Sequence, residues 1–216
     1  MAKLPADVRR NQLIEVAIAV ASSEGIAAAT TRRVAAEAGV AVGVVHYCFG
    51  TKELLMREVI RAIVNEILEA SIDAPREGDS LRSYLSRAAD AYCVAITRNH
   101  EKRRLTFELT TYTVRTDSAR ELGRMQYECY FEAARRFFVR AAEATGTAWI
   151  VSVETLARML VAMSEGMALV WLVDRKTDEM RKVLATFVDQ LLALATEAPD
   201  QQISTSADML IEYGER

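Results

Sequence analysis

The sequence predicts an all-α chain, on three grounds. Apolar residues recur at three- and four-residue spacing through almost every segment. Thr, Ser, Gly and Pro punctuate those segments where helices start and stop. Beyond residue 79 no strand-like alternation appears. The layout is a small three-helix head (1–50), a long linking helix (51–70) and a larger helical bundle (71–216).

The first helix runs from Ala6 to Glu24 with Leu13, Val16, Ala17, Val20 and Ala21 as its apolar stripe, and Gly25 ends it. Thr30 or Thr31 caps the next, since a Thr oxygen accepts from an orphan N–H. Val34, Ala35 and Ala38 follow at helical spacing, and Gly39 sits where the chain must reverse. Val40 packs inward, and a second short helix from Ala41 to Cys48 brings Val45 and Phe49 to the same core. Small residues at Ala35, Ala36 and Ala38 let the two helices cross closely, as a helix-turn-helix requires. Thr51 caps the linking helix, whose inward residues are Leu54, Leu55, Val59, Ile60, Ile63, Val64, Ile67 and Leu68. At ~1.5 Å per residue it reaches roughly 30 Å, enough to link head and body mechanically.

Asp73–Asp79 combines Pro, Gly and charge and reads as a linker. Helices are expected over Ser80–Thr97 and Glu101–Arg115, with a break at Asn99–His100. Ser118 and Glu121 form a capping box opening a long helix to Thr145, stopped by Gly146. Ser152 opens another to Asp174, and Thr177 or Asp178 opens the last, to about Thr196. Pro199 ends the regular pattern. The tail from Asp200 is polar except for Met209, Leu210, Ile211 and Tyr213, which either dock as a short helix or fray.

Composition narrows the function classes. The 216 residues are 51% hydrophobic with net charge −3, a globular balance with no general affinity for polyanions. Any nucleic-acid contact must come from a local patch. The first 60 residues set Lys3, Arg9, Arg10, Arg32, Arg33, Lys52 and Arg57 against Asp7, Glu15, Glu24, Glu37, Glu53 and Glu58, so the fold must sort the signs. The odd, scattered Cys48, Cys93 and Cys129 suit reduced thiols in the cytoplasm. The N-terminus lacks the apolar core of a secretory signal. The run Met159–Val173 is broken by Glu165, flanked by Arg158 and Asp174, and reads as too short and too charged for a membrane span. No nucleotide-binding, zinc-hydrolase or serine-hydrolase motif is present, so no enzyme activity or cofactor is expected. His46 and His100 are too isolated for a metal site.

A helix-turn-helix presents its second helix to the DNA major groove. The stretch from Thr30 to Leu55, T-T-R-R-V-A-A-E-A-G-V-A-V-G-V-V-H-Y-C-F-G-T-K-E-L-L, resembles the DNA-binding domain of the TetR family of bacterial one-component regulators. The matching positions are Thr30, Thr31, Val34, Ala35, Ala38, Gly39, Val40, Gly43, Val45, Phe49, Thr51, Lys52, Glu53 and Leu55. The match covers about the first quarter of the chain; beyond it only length and helical layout agree. The resemblance implies that Thr31 both caps and meets phosphate, that Arg32 reads guanine, and that Lys52 binds phosphate at a helix N-terminus. Gly43 allows close approach, Val42 and Val44 offer contacts to thymine methyls, and His46 and Tyr47 replace the family's paired aromatics as phosphate donors. Where the family often carries Ser, a polar or basic residue, Thr and Tyr, this chain has Ala41, Val42, Val44 and His46. Its reading helix thus lacks most of the usual donors, and base specificity is expected to lean on Arg32, thymine methyls and DNA shape.

For the body the resemblance implies a cavity for a small, largely apolar effector, for which Tyr92, Phe107, Thr110, Tyr127, Met163 and Met167 are candidates. Glu108, Thr111 and Glu165 could add polar contacts. It also implies a four-helix dimer interface from the last two helices, with candidates Leu160, Ser164, Met167, Trp171, Val183, Phe187 and Leu191. Two readings stay open. One is a homodimeric repressor released from a near-palindromic DNA operator by its effector. The other is a helical ligand-binding or adaptor protein that keeps the fold but has lost sequence-specific DNA binding.

Overall fold

The computed structural model describes residues 5–71, 76 and 78–198. Most of the expected linker (73–75 and 77), Pro199 and the tail from Asp200 lie outside the described residues, as do Lys3 and the side chains of Ile67, Leu68 and Ser118. Among the described residues are nine α-helices.

The head comprises α1 (Ala6–Glu24), α2 (Thr31–Glu37) and α3 (Val42–Phe49). Thr30 is the cap of α2, its hydroxyl accepting from the Arg33 N–H at 3.1 Å. Gly39 adopts a left-handed φ of 65°, which lets the Val40 N–H turn back to the Ala35 carbonyl at 3.0 Å and close the helix. Leu13, Ala17, Val34 and Val45 are fully buried where the three helices meet. Thr51 caps α4 (Lys52–Ser71) through the Leu54 N–H at 3.2 Å. This helix divides its apolar residues. Leu55, Met56, Val59 and Ile63 complete the head core, while Ile60 and Val64 pack into the body with Leu109 and Tyr130. Head and body therefore share one helix.

The body holds α5 (Leu81–Arg98), α6 (His100–Arg115), α7 (Arg120–Thr145), α8 (Val153–Asp174) and α9 (Thr177–Leu192). Ser80 and Ser152 cap α5 and α8. Where α6 meets α7, a Cβ on Gly123 would stand 2.4 Å from the Thr113 hydroxyl, so only glycine permits this approach. Phe138, fully buried, anchors the far end against Phe137 and Trp149, whose indole N–H donates to the Phe138 carbonyl at 3.0 Å.

Several boundaries differ from the sequence expectation. The helix opened by the Ser118 box begins at Arg120, after a 3-10 turn over Asp117–Ala119, and Ala119 caps it without a side-chain bond. The last helix ends at Leu192 because Ala195–Glu197 (β2) pairs antiparallel with Thr147–Trp149 (β1), Trp149 opposite Ala195. Three-residue strands carry too little alternation to be read from sequence. At 22 residues, α8 is long and apolar enough to cross a bilayer by length and composition, against the shorter run expected. Its interrupting charge, Glu165, is paired with Arg103 inside the body.

Before α5, Asp79 accepts from Arg87 Nη1 and Nη2 at 2.7 and 2.6 Å and from the Arg76 backbone N–H at 2.8 Å. These bonds, Arg87 first, hold its carboxyl at about 2, below the ordinary aspartate value. A depressed acid contributes stability that is full above its unfolded pKa and lost as pH falls through its folded one. The clasp is therefore expected intact above about pH 4 and open as pH falls through about 2. An NMR titration of the Asp79 carboxyl should show a midpoint near 2. A midpoint at the free-aspartate value would mean the clasp does not form.

Candidate nucleic-acid interface and internal cavity

The outward face of α3 is built by its spacing. Val45 and Phe49 point into the head, so Gly43, His46 and Tyr47 line the opposite side, and Tyr47 is 85% exposed. Val42 and Val44, expected to face the groove, are instead half-buried against the head core. Part of their apolar surface is used by the fold, which leaves their outer edges for the expected thymine-methyl contacts. The His46 ring nitrogen Nδ1 sits 2.8 Å from the Gly50 carbonyl, holding the imidazole outward at the helix end.

Beside this face, Thr31 is half-buried at the start of α2 and Arg32 is exposed. Lys52 donates to the Ala27 carbonyl at 3.4 Å, which places its ammonium over the entry to α2. Two other head arginines, Arg33 and Arg10, are committed to the fold. Arg33 bridges Glu24 and Glu37 at 2.6 and 2.8 Å, and hydrogen bonds to those acids, Glu24 first, raise its pKa above the ordinary arginine value. Arg10 donates to the Cys48 carbonyl, pairs with Glu58 and lies over the Phe49 ring, pinning α1 to α3. The signs are thus sorted. Acids and their partner arginines hold the helices together, while Arg32, His46, Tyr47 and Lys52 stand beside the reading face.

The body holds a cleft with a cavity volume of about 130 Å³ between α5, α7, α8 and α9. Leu85, Phe137, Leu160, Met163, Phe187 and Leu191 give it an apolar wall. Its polar end is the ion pair between Arg103 and Glu165, with Tyr92 and Tyr130 adjacent. Burial opposes the charge on Arg103, but Glu165 and the neighbouring tyrosines outweigh it and its pKa rises. Burial raises the Tyr92 and Tyr130 phenols, so both are neutral at physiological pH.

Of the effector candidates, Tyr92 and Met163 line this cleft. The other four do not. Phe107 lies under the Arg103 guanidinium and borders a separate surface groove with Glu108 and Thr111. Thr110 donates to the Thr106 carbonyl and accepts from Gln126, Tyr127 packs edge-on against Tyr130, and Met167 packs beside Ala168 and Trp171. Glu165 is in place, but Arg103 was not anticipated. Arg103 lies three residues before Thr106 and six before Leu109 on the buried stripe of α6. That spacing was the available signal.

The expected dimer face is also redistributed. Leu160 and Ser164 line the cleft, Trp171, Phe187 and Leu191 are buried within the protomer, and Met167 is half-buried. Only Val183 of that set is exposed, at 43%. The exposed side of α8 carries Ala162, Gly166, Leu169, Val170 and Val173. Because α8 is apolar on nearly every side, periodicity could not say which side its own chain covers.

The comparisons agree with this geometry. Residues 13–59 match the family model for bacterial regulatory proteins of the tetR family. The HTH-type nicotine-responsive transcriptional repressor HdnoR of Paenarthrobacter nicotinovorans is 23% identical over 184 residues, 85% of this chain and 94% of that protein. The HTH-type transcriptional regulator BetI 2 of Chromohalobacter salexigens is 36% identical over 81 residues, covering 36% of this chain and 39% of its own. A crystal structure from Rhodococcus sp., described as a TetR-family transcriptional regulator, superposes with a TM-score of 0.71 at 19% identity, over 86% of this chain and 98% of that one, a likeness of fold. The matched model lies on the helices that build the exposed face of α3, and a full-length relative aligns through the body, so residues 13–59 form a DNA-binding domain of the tetR family of bacterial regulatory proteins.

Proposed function

We propose that this regulator is a homodimeric repressor that binds a near-palindromic operator through α3 of each protomer and is released when a small, largely apolar effector fills the body cleft. The observation that carries the coupling is on α6. Arg103 lines the cleft, its neighbour Arg104 donates to the Ser22 carbonyl at the end of α1 at 3.0 Å, and Leu105 is part of the head core. Three consecutive residues thus connect cleft and head. An effector that binds better to one arrangement of α6 shifts the population of head positions, and operator affinity follows.

In this reading residues 1–50 are the DNA-binding head, 51–70 the linking helix and 71–216 the effector-binding and dimerisation body, working in the cytoplasm where the DNA is. The protein acts by binding and not by catalysis, as its regulator relatives do. Operator contacts come from Thr31, Arg32, Gly43, His46, Tyr47 and Lys52, with the edges of Val42 and Val44. HdnoR is a nicotine-responsive repressor, which supports release by a small organic molecule here. Dimerisation fits because two reading helices set one or more turns apart read a palindrome.

A gel shift with the DNA flanking the chain's own gene, at moderate salt, tests it. A sequence-specific shift that weakens steeply with salt is expected. No shift even at low salt would instead support the adaptor reading.

A further inference from the structure

We propose that the Arg103–Glu165 pair is the polar anchor of the effector cleft, and that it selects uncharged, elongated molecules: an apolar body ending in one group that both donates and accepts, of which a carboxamide is the simplest. The inference rests on reading the cleft as the effector site. Its polar lining is short, and most of it is spent within the protein. The Tyr92 hydroxyl donates to the Ser164 carbonyl, and the Ser164 hydroxyl donates to the Val161 carbonyl at 3.1 Å. What remains is a matched pair of orphans. Arg103 Nε and Glu165 Oε2 are both buried with no hydrogen-bond partner among the described residues, and both residues line the cleft. One is a donor and the other an acceptor, on two residues joined by the bond between Arg103 Nη2 and Glu165 Oε1.

Charge then decides the ligand class. The anchor is neutral in sum, Arg103 is only 3% exposed, and the flanking phenols carry no charge. An alkylammonium would draw Glu165 and leave the guanidinium without its counter-ion; a carboxylate would do the reverse. Either way a net charge would be buried without compensation, which is costly in a site this apolar. A primary amide meets both orphans and disturbs neither partner: its N–H donates to Glu165 Oε2 and its carbonyl accepts from Arg103 Nε.

The test is calorimetric titration of the purified full-length protein, without DNA, using octanamide, octylammonium, octanoate and N,N-dimethyloctanamide. Octanamide is expected to bind at least about ten-fold tighter than either ion, and about ten-fold tighter than the dimethyl amide, which keeps the acceptor but has no N–H. Glu165→Gln leaves a net positive anchor and should turn the preference toward octanoate; Arg103→Gln should turn it toward octylammonium. The wild-type comparison of the two amides stands even if a variant does not fold. Equal affinity for both amides, tighter binding of either ion to the wild type, or binding of none of the four overturns the proposal. Because no DNA is present, such a failure leaves the regulator reading to be judged by the gel shift alone.

Discussion

Gly166→Trp is expected to give a folded, helical monomer whose operator affinity is lower by roughly 100-fold or more, the scale lost when paired binding modules are uncoupled. Glycine in the middle of a helix costs about 1 kcal/mol relative to alanine, so a mid-helix glycine needs a reason. Among the described residues of the protomer there is none. A Cβ built on Gly166 meets nothing within 4 Å, and the residue lies in the exposed row with Ala162, Leu169, Val170 and Val173. In the proposed dimer the reason is close approach, with Ala162 and Gly166 letting a partner helix in and Leu169, Val170 and Val173 packed around the crossing. A tryptophan there enters open space in the isolated protomer and improves helix propensity, so circular dichroism should be unchanged. Between protomers it props the helices apart. Analytical ultracentrifugation reads the outcome directly: a dimer that survives the substitution would place the interface elsewhere.

What was legible in the sequence was local. Thr30, Gly39 and Thr51 act on backbone groups within a few residues of themselves, so their chemistry could be read off their spacing, and each does in the structure what its spacing implied. Choices between alternative partners were not legible. The sequence reading puts Val42 and Val44 at the groove with the rest of a groove-facing helix; the structure packs part of their surface on the head core, while Gly43, His46 and Tyr47 are the exposed residues. The cleft shows the same limit. Leu160 and Ser164 were expected to contact a second copy but line the cleft of their own, since one apolar helix offers equally plausible faces to both. Arg103 was hidden by its charge. A guanidinium reads as solvated until a carboxylate from a helix sixty-two positions away is brought to meet it.

The departure of the reading helix from its family pattern makes Arg32 the residue whose loss should change what the protein reads and not only how tightly it binds. The exposed face of α3 offers Gly43, which has no side chain, His46, whose Nδ1 is engaged with the Gly50 carbonyl, and Tyr47, whose single hydroxyl suits a phosphate oxygen. Arg33, the neighbouring cation, is held by Glu24 and Glu37. In the proposed complex the planar, bidentate donor that guanine recognition needs is Arg32, exposed at the start of α2. Arg32→Ala should weaken operator binding by about 1–3 kcal/mol and flatten the preference at one base pair of each half-site in a binding-site selection. Lys52→Ala provides the contrast. Its ammonium sits over the entry to α2, where the proposed contact is to phosphate, so its loss should weaken binding about equally on all sequences and reduce the salt slope by about 1. An Arg32→Ala variant whose selected sites match the wild type's would move base discrimination to DNA shape, with Arg32 as one more phosphate contact.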